Sequence, residues 1–301
     1  MSKRQGAPPD RLSIAPDELA LGKVLSPAVE RVVGRWRTTG RLPGALEDFL
    51  YRRRPRFLRN PEGPIVKAGG VPLNGAIAAV LDMRTTTLCV QGPPGSGKTF
   101  SGSRMIVALL RAGKRVGIAS NSHRAINVLL AETSQAALVA EVSVTAAKVC
   151  REDDHLAGLP DRFQQIKTGR ELFDGRPLPN LIGGAAFAFI QEAAEGALDY
   201  LFVDEAGQVS LANLVAMPPA GHNIVLLGDQ MQLGQPIQGS HPGESGLSTL
   251  EYLLQGQATI PEDFGIFLSR TWRLHPNLCH SSPGQSTTTA WDVRRTRLVA
   301  S

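Results

Sequence analysis

The stretch Val90–Phe100, VQGPPGSGKTF, limits the possible folds more than any other part of the chain. The apolar run TTLCVQ leads into it, and KTFSGSRMIVALLRAG, closed by Gly113, follows with the composition of a helix. A strand, a glycine-rich turn and a helix in that order gather backbone N–H groups around one point. The glycines remove the Cβ atoms that would block such a turn, and the helix N-terminus adds the positive end of its dipole. Gly92, Pro93, Pro94, Gly95, Ser96, Gly97, Lys98 and Thr99 therefore read as a polyphosphate cradle. In that pattern Lys98 reaches the β- and γ-phosphates of a nucleotide, and the Thr99 hydroxyl ligates Mg²⁺.

A cradle of this kind sits at the carboxyl edge of a parallel sheet, and residues 65 onward carry the matching rhythm. TTLCVQ, KRVGIAS, LDYLFVDEAG and HNIVLLGDQ read as buried strands, with HRAINVLLAET as a further helix. Strands alternating with helices predict an α/β fold: a mostly parallel sheet covered on both faces. Residues 140–180 break the rhythm and read as an inserted subdomain. Residues 1–64 are polar, proline-punctuated and arginine-rich, and the family resemblance set out below implies that, ahead of the motor, they form a helical connector. Within it SPAVERVVGRWRTTG predicts an amphipathic helix with Val29, Val32, Val33 and Trp36 on one face and Gly40 as its stop. YRRRPRFLR, Tyr51–Arg59, packs five arginines into nine residues and reads either as a solvated linker or as a phosphate-contacting arm. Residues 280–301 show no periodicity.

Net charge is +5 with a pI of about 9.4, which suits an anionic partner. No apolar run approaches the ~20 residues of a membrane span, and MSKRQGAPPD has no signal-peptide core. The three cysteines, Cys89, Cys150 and Cys279, are odd in number and scattered. They fit a reducing cytoplasm better than a disulfide framework.

A second acidic element should accompany the cradle, and YLFVDEAGQ provides it. Asp204 ends an apolar strand, where it holds Mg²⁺ through water, and Glu205 stands beside it to orient or deprotonate the attacking water. The two elements together define a nucleoside triphosphatase that cleaves with water.

Three further phrases carry a resemblance. LLGDQMQLGQP holds Gly228, Asp229, Gln232, Leu233 and Pro236 in the spacing GDxxQLxxP; TWRLHP spans Thr271–Pro276; SNSHRAINVLL spans Ser120–Leu130. With GPPGSGKT and DEAGQ, these motifs run in order over residues 85–279 and resemble those of superfamily 1B helicases. The chain looks most like the helicase half of bacterial proteins that join a RecB-like nuclease to such a motor. The resemblance implies a RecA-like domain that uses ATP and Mg²⁺ on single-stranded nucleic acid, with DNA favoured over RNA and the choice between them left open. It implies that Gln232 senses the γ-phosphate, that Arg273 stabilises the transferring phosphate, and that Ser122 and His123 lie along the strand path. Taken alone, Ser122 and His123 read equally as helix capping, and Arg273 as a surface ion pair. His275, Cys279 and His280 match no standard zinc spacing. Three departures stand out. The upstream segment offers Asn74 but no adenine-reading glutamine, Ala185 and Ala186 replace the usual threonine, and Thr271 and Trp272 replace Gln and Tyr.

A motor of this type needs two RecA-like domains around the nucleotide, and the second supplies a further arginine, worth ~10³–10⁵ in rate in related enzymes. The sequence carries motifs of the first alone. It is expected to bind nucleotide, to hydrolyse it weakly and not to unwind a duplex by itself. Where the family has FIS-x-x-x-Y-x-x-x-L, this chain has HSSPGQSTTTAWD; one choice of codons, read two bases later, gives FISGAVYDDRLG. A frame-shifted tail from about His280 is the favoured reading, with a genuine disordered tail as its alternative. The competing functions are a non-catalytic module that binds nucleotide and nucleic acid, a decayed gene product, and an ATPase acting on something other than nucleic acid. The oligomeric state is not legible.

Overall fold

The cradle's strand, β1 (Thr87–Gln91), is buried along its whole length. Seven more strands share its sheet: β2 (Val116–Ala119), β3 (Ala146–Val149), β4 (Gln164–Ile166), β5 (Leu181–Gly184), β6 (Leu198–Val203), β7 (Gly221–Gly228) and β8 (Gly265–Phe267). This computed structural model describes residues 22–59, 62–67, 71–151, 156, 158–160, 163–175, 177–231 and 242–269. Gln232, Leu233, Pro236, the segment Thr271–Pro276 with Arg273, Cys279 and the tail from His280 lie outside those residues.

The strand order is β4-β3-β5-β2-β6-β7-β1-β8, and all seven pairings are parallel. A parallel sheet is buried on both faces, which accounts for the near-continuous apolar runs. Alternate residues serve opposite cores. Val225 and Leu227 of β7 point into one cluster with Val90, Ile118 and Phe202, while Ile224 and Leu226 point into the other with Leu201 and Val203.

Three helices cover the first face: α3 (Pro72–Asp82), α4 (Lys98–Arg111) and α5 (His123–Val139). The second face is covered mainly by α1 (Gly22–Thr39), α2 (Gly44–Leu50), α6 (Gly169–Phe173), α7 (Ala186–Phe189), α8 (Leu211–Ala216) and α9 (Thr249–Leu254). Residues 140–180, expected as an inserted subdomain, supply β3, β4 and α6, with both strands hydrogen-bonded into the common sheet.

The connector helices share the sheet's core. Ala28, Val32, Leu46 and Phe49 are buried with β6 and β7 residues. Gly40, at φ +66°, ends α1 as expected, and its N–H donates to the Trp36 carbonyl. The buried stripe is rotated from the expected one: Ala28 and Val32 lie inside, whereas Val33 is 37% and Trp36 45% exposed. α1 packs on α8, and Ala28 and Val32 share a buried cluster with Leu214 and Ala216 of that helix.

The arginine-rich stretch is neither a free linker nor a free arm. Each of its five arginines pairs with a carboxylate: Arg52 with Glu244, Arg53 with Glu47, Arg54 with Asp263, Arg56 with Asp48, Arg59 with Asp82. Arg52 also stacks on the Tyr252 ring, 3.9 Å from its centroid. Asp48, 1% exposed, accepts from Arg56 Nε at 2.8 Å and from Thr86 Oγ1 at 2.6 Å. The positive charge is thus spent on fastening the connector to the sheet. Exposed ion pairs are worth little singly, but Asp48 is buried and anchors the group.

Candidate nucleotide site

At the carboxyl edge of the sheet, three neighbouring strands, β6, β7 and β1, deliver the chemistry. Gly228 is level with Gln91 and Leu226 with Val203. Asp204 follows β6, Asp229 follows β7 and Gly92 follows β1, so adjacent strand ends bring the two acids and the cradle together.

The cradle is built by glycine where the geometry demands it. A Cβ on Gly92 would overlap Ser96 Oγ, and Gly97 sits at φ +86°, in the left-handed region, as the cap of α4. The Gly92 N–H donates to the Gly228 carbonyl at 3.1 Å, and the Ser96 N–H to the Pro93 carbonyl at 3.1 Å. Lys98 Nζ donates to the carbonyls of Gly92 (2.5 Å) and Pro93 (3.0 Å). Burial lowers the Lys98 pKa, opposed by the charges of Asp229, Asp204 and Glu205.

Asp204 is 7% exposed. Its Oδ1 accepts from the Glu205 N–H at 2.9 Å, and its own N–H donates to Ala119 at the end of β2. Burial pushes its carboxyl up to about 6 despite that hydrogen bond. Glu205 adopts φ +54°, unusual for a residue with a side chain. Its Oε2 accepts from Ser120 Oγ at 3.3 Å, and the Asn121 amide donates to the Gln208 carbonyl at 2.8 Å. The loop after β2 therefore braces the acidic turn after β6.

Ser122 caps α5, its Oγ accepting from the Ala125 N–H at 3.2 Å, so the capping role of this residue is filled. His123 opens α5, and its carbonyl accepts from the buried Lys148 Nζ at 3.3 Å. Asn74 stands apart from these groups, in a groove of about 700 Å³ between α3 and the segment 57–67. Ala185 caps α7 without a side-chain hydrogen bond.

Whether these residues suit a nucleotide and Mg²⁺ is testable from the buried polar atoms. Ser96 Oγ and Asp229 Oδ2 are buried with no hydrogen-bond partner among the described residues. An orphan of this kind costs ~1–3 kcal/mol and asks for an explanation. Ser96 lies within the cradle and Asp229 beside it, so a phosphate and a hydrated cation would satisfy both. Among the described residues no three His, Cys, Asp or Glu side chains converge to hold a metal alone. Mg²⁺ takes one or two carboxylates and completes its shell with water and phosphate oxygens. Thr99, half-buried in the first turn of α4, and Asp204 are the groups that would hold it. Sequence reading missed two members of this cluster, Ser120 and Asp229 as a participant. Both lie inside quoted motifs, but only strand adjacency shows what they touch.

The AAA domain family matches residues 74–244, more than half of the chain, and the protein belongs to that family. The matched span holds the cradle, Asp204, Glu205 and Asp229. The sheet order and the cradle define a RecA-like P-loop domain. No curated protein matches significantly. Among solved structures the chain is similar to arterivirus nonstructural protein 10, a helicase, in complex with DNA. Identity there is 20% and the TM-score 0.35, over 60% of this chain and 35% of that one. Without DNA the same helicase gives 20% identity and a TM-score of 0.41, over 69% and 39% of the two chains. The PRRSV helicase gives 17% identity and a TM-score of 0.36, over 68% and 34%. This chain thus spans little more than a third of those helicase chains. Among the described residues no helix is long and apolar enough to cross a membrane.

Proposed function

We propose that this chain binds ATP with Mg²⁺ and hydrolyses it as the first motor domain of a superfamily 1 nucleic-acid helicase. The observation that carries this reading is the meeting of Lys98, which follows β1, with Asp204 and Glu205, which follow β6, beside a P-loop curled on Gly92 and Gly97.

In this reading the loop N–H groups and Lys98 hold the β- and γ-phosphates. Thr99 and Asp204 would hold Mg²⁺, which would neutralise the charge that builds on the phosphates. Glu205 orients the attacking water and takes its proton. Gln232 senses the γ-phosphate and Arg273 stabilises the transferring group. Ser122 and His123 border the path of a single strand, DNA in preference to RNA, and the basic balance of the chain favours such a partner. The finer likeness, to the helicase half of RecB-like nuclease fusions working in the cytoplasm, belongs to the same proposal. The domain division at about residues 64 and 279 belongs to it too. One RecA-like unit encloses only one side of its nucleotide, so these residues alone turn over slowly and do not unwind.

Phosphate release from ATP, measured with and without a single-stranded DNA oligonucleotide, tests this. Slow turnover that the oligonucleotide raises and Lys98→Ala abolishes supports the motor. Binding of both ligands with no turnover points to a non-catalytic module. Turnover indifferent to DNA and RNA removes nucleic acid from the account.

A further inference from the structure

Asp229 has no role in the reaction outlined above, yet strand order makes it central. β7 lies between β6 and β1, so the first residue after β7 stands between Asp204 and Gly92. Its position is fixed tightly. A Cβ on Gly207 would overlap the Asp229 carbonyl, and one on Gly228 would meet the Leu250 side chain and the backbone nitrogens of Ala206 and Gly207. The Ala206 N–H donates to the Leu227 carbonyl at 2.9 Å, tying the two turns together.

The side chain is 4% exposed. Its Oδ1 accepts from the Met231 N–H at 2.9 Å, which shapes the turn. Its Oδ2 has no partner among the described residues. Of the acids around Lys98, Asp229 acts on it most strongly, ahead of Asp204 and Glu205. Lys98 nonetheless donates to the Gly92 and Pro93 carbonyls and makes no hydrogen bond to Oδ2.

A carboxylate oxygen only accepts hydrogen bonds. The phosphates of a nucleotide offer it no donor and repel it. A divalent cation beside those phosphates keeps several of its waters, and each is a strong donor. We propose that Asp229 Oδ2 holds a water ligand of the nucleotide-bound divalent cation, making Asp229 a positioning residue for that cation. This rests on the P-loop reading given above.

The test is the affinity of a fluorescent ATP analogue for the full chain, in MgCl₂ and in EDTA, for wild type and Asp229→Asn. Asn keeps the acceptor for Met231 and removes the charge. The expected result is that Mg²⁺ tightens binding to wild type and that Asp229→Asn loses ~10–100-fold of the affinity seen in Mg²⁺. Binding in EDTA should hold or improve, because a repulsive charge has gone. A purely structural role would weaken both conditions equally, and an unchanged Mg²⁺ enhancement would place Asp229 away from the cation; either overturns the proposal. If Asp229→Asn fails to fold by circular dichroism, Asp229→Ser is read the same way. No binding by wild type in either buffer would overturn the P-loop reading itself, a result distinct from a wild type that binds and an Asp229 variant that behaves like it.

Discussion

Ser120 Oγ donates to Glu205 Oε2 at 3.3 Å and accepts the Ser122 N–H at 3.3 Å. One hydroxyl thus joins the acid proposed to orient water to the segment proposed to follow a nucleic-acid strand. A shift of Ser122 on binding a strand would be felt at Glu205 through this contact.

Ser120→Ala should therefore weaken the coupling between strand binding and hydrolysis. A hydrogen bond to a charged group is worth ~1.5–3 kcal/mol. The ratio of DNA-stimulated to basal ATP turnover should fall by roughly tenfold, with nucleotide affinity unchanged. Steady-state rates with and without oligonucleotide decide this; an unchanged ratio counts against a coupling role.

Gly92→Ala should remove nucleotide binding while the sheet survives. The new methyl would overlap Ser96 Oγ and press on Leu268 Cβ, so the loop must open. Overpacking of this sort costs ~1–3 kcal/mol. Circular dichroism should show native secondary structure, and the affinity for a nucleotide analogue should drop at least tenfold, about the same energy.

Lys148 makes stability depend on pH. It is fully buried in β3, where Nζ donates to Asn127 Oδ1 at 2.6 Å, and burial lowers its pKa from 10.5 to about 8. Below pH 8 both folded and unfolded chains carry the proton, and the fold bears the cost of a buried charge. Between about 8 and 10.5 the unfolded chain binds more protons, so stability from this group rises with pH. Lys148→Met removes that dependence. The melting temperature of wild type relative to Lys148→Met should climb by several degrees from pH 7.5 to pH 10. A flat difference would show that Lys148 does not titrate in this window.

Asp48 should be the structural keystone of the connector. Asp48→Ala leaves the buried Thr86 hydroxyl and Arg56 Nε without their acceptor, with an expected loss of ~1–3 kcal/mol. Arg53→Ala, whose partner Glu47 is half-exposed, should cost less than ~1 kcal/mol. Thermal melts of the two variants should rank in that order.

The cradle, α4, β6 and β7 were legible because their signals are local: an unbroken apolar strand, a glycine turn, a helix closed by Gly113. β3 was not, because AAKV carries a lysine that pairs with Asn127 inside the fold, which no periodicity reveals. β5 reads LIGG and β8 GIF, too short and glycine-rich to stand out. The arginines of Tyr51–Arg59 looked free because one of their acids, Glu244, lies 192 residues from Arg52. Asp229 was quoted but given no role, since sequence shows neither that β7 lies between β6 and β1 nor that one carboxylate oxygen is left without a donor.

The most direct test of the central claim is isothermal titration calorimetry of the purified chain with a slowly hydrolysed ATP analogue and MgCl₂. The account predicts saturable binding of one nucleotide per chain by wild type and loss of that binding in Lys98→Ala. Absence of saturable binding by folded wild type, or equal binding by Lys98→Ala, would contradict it.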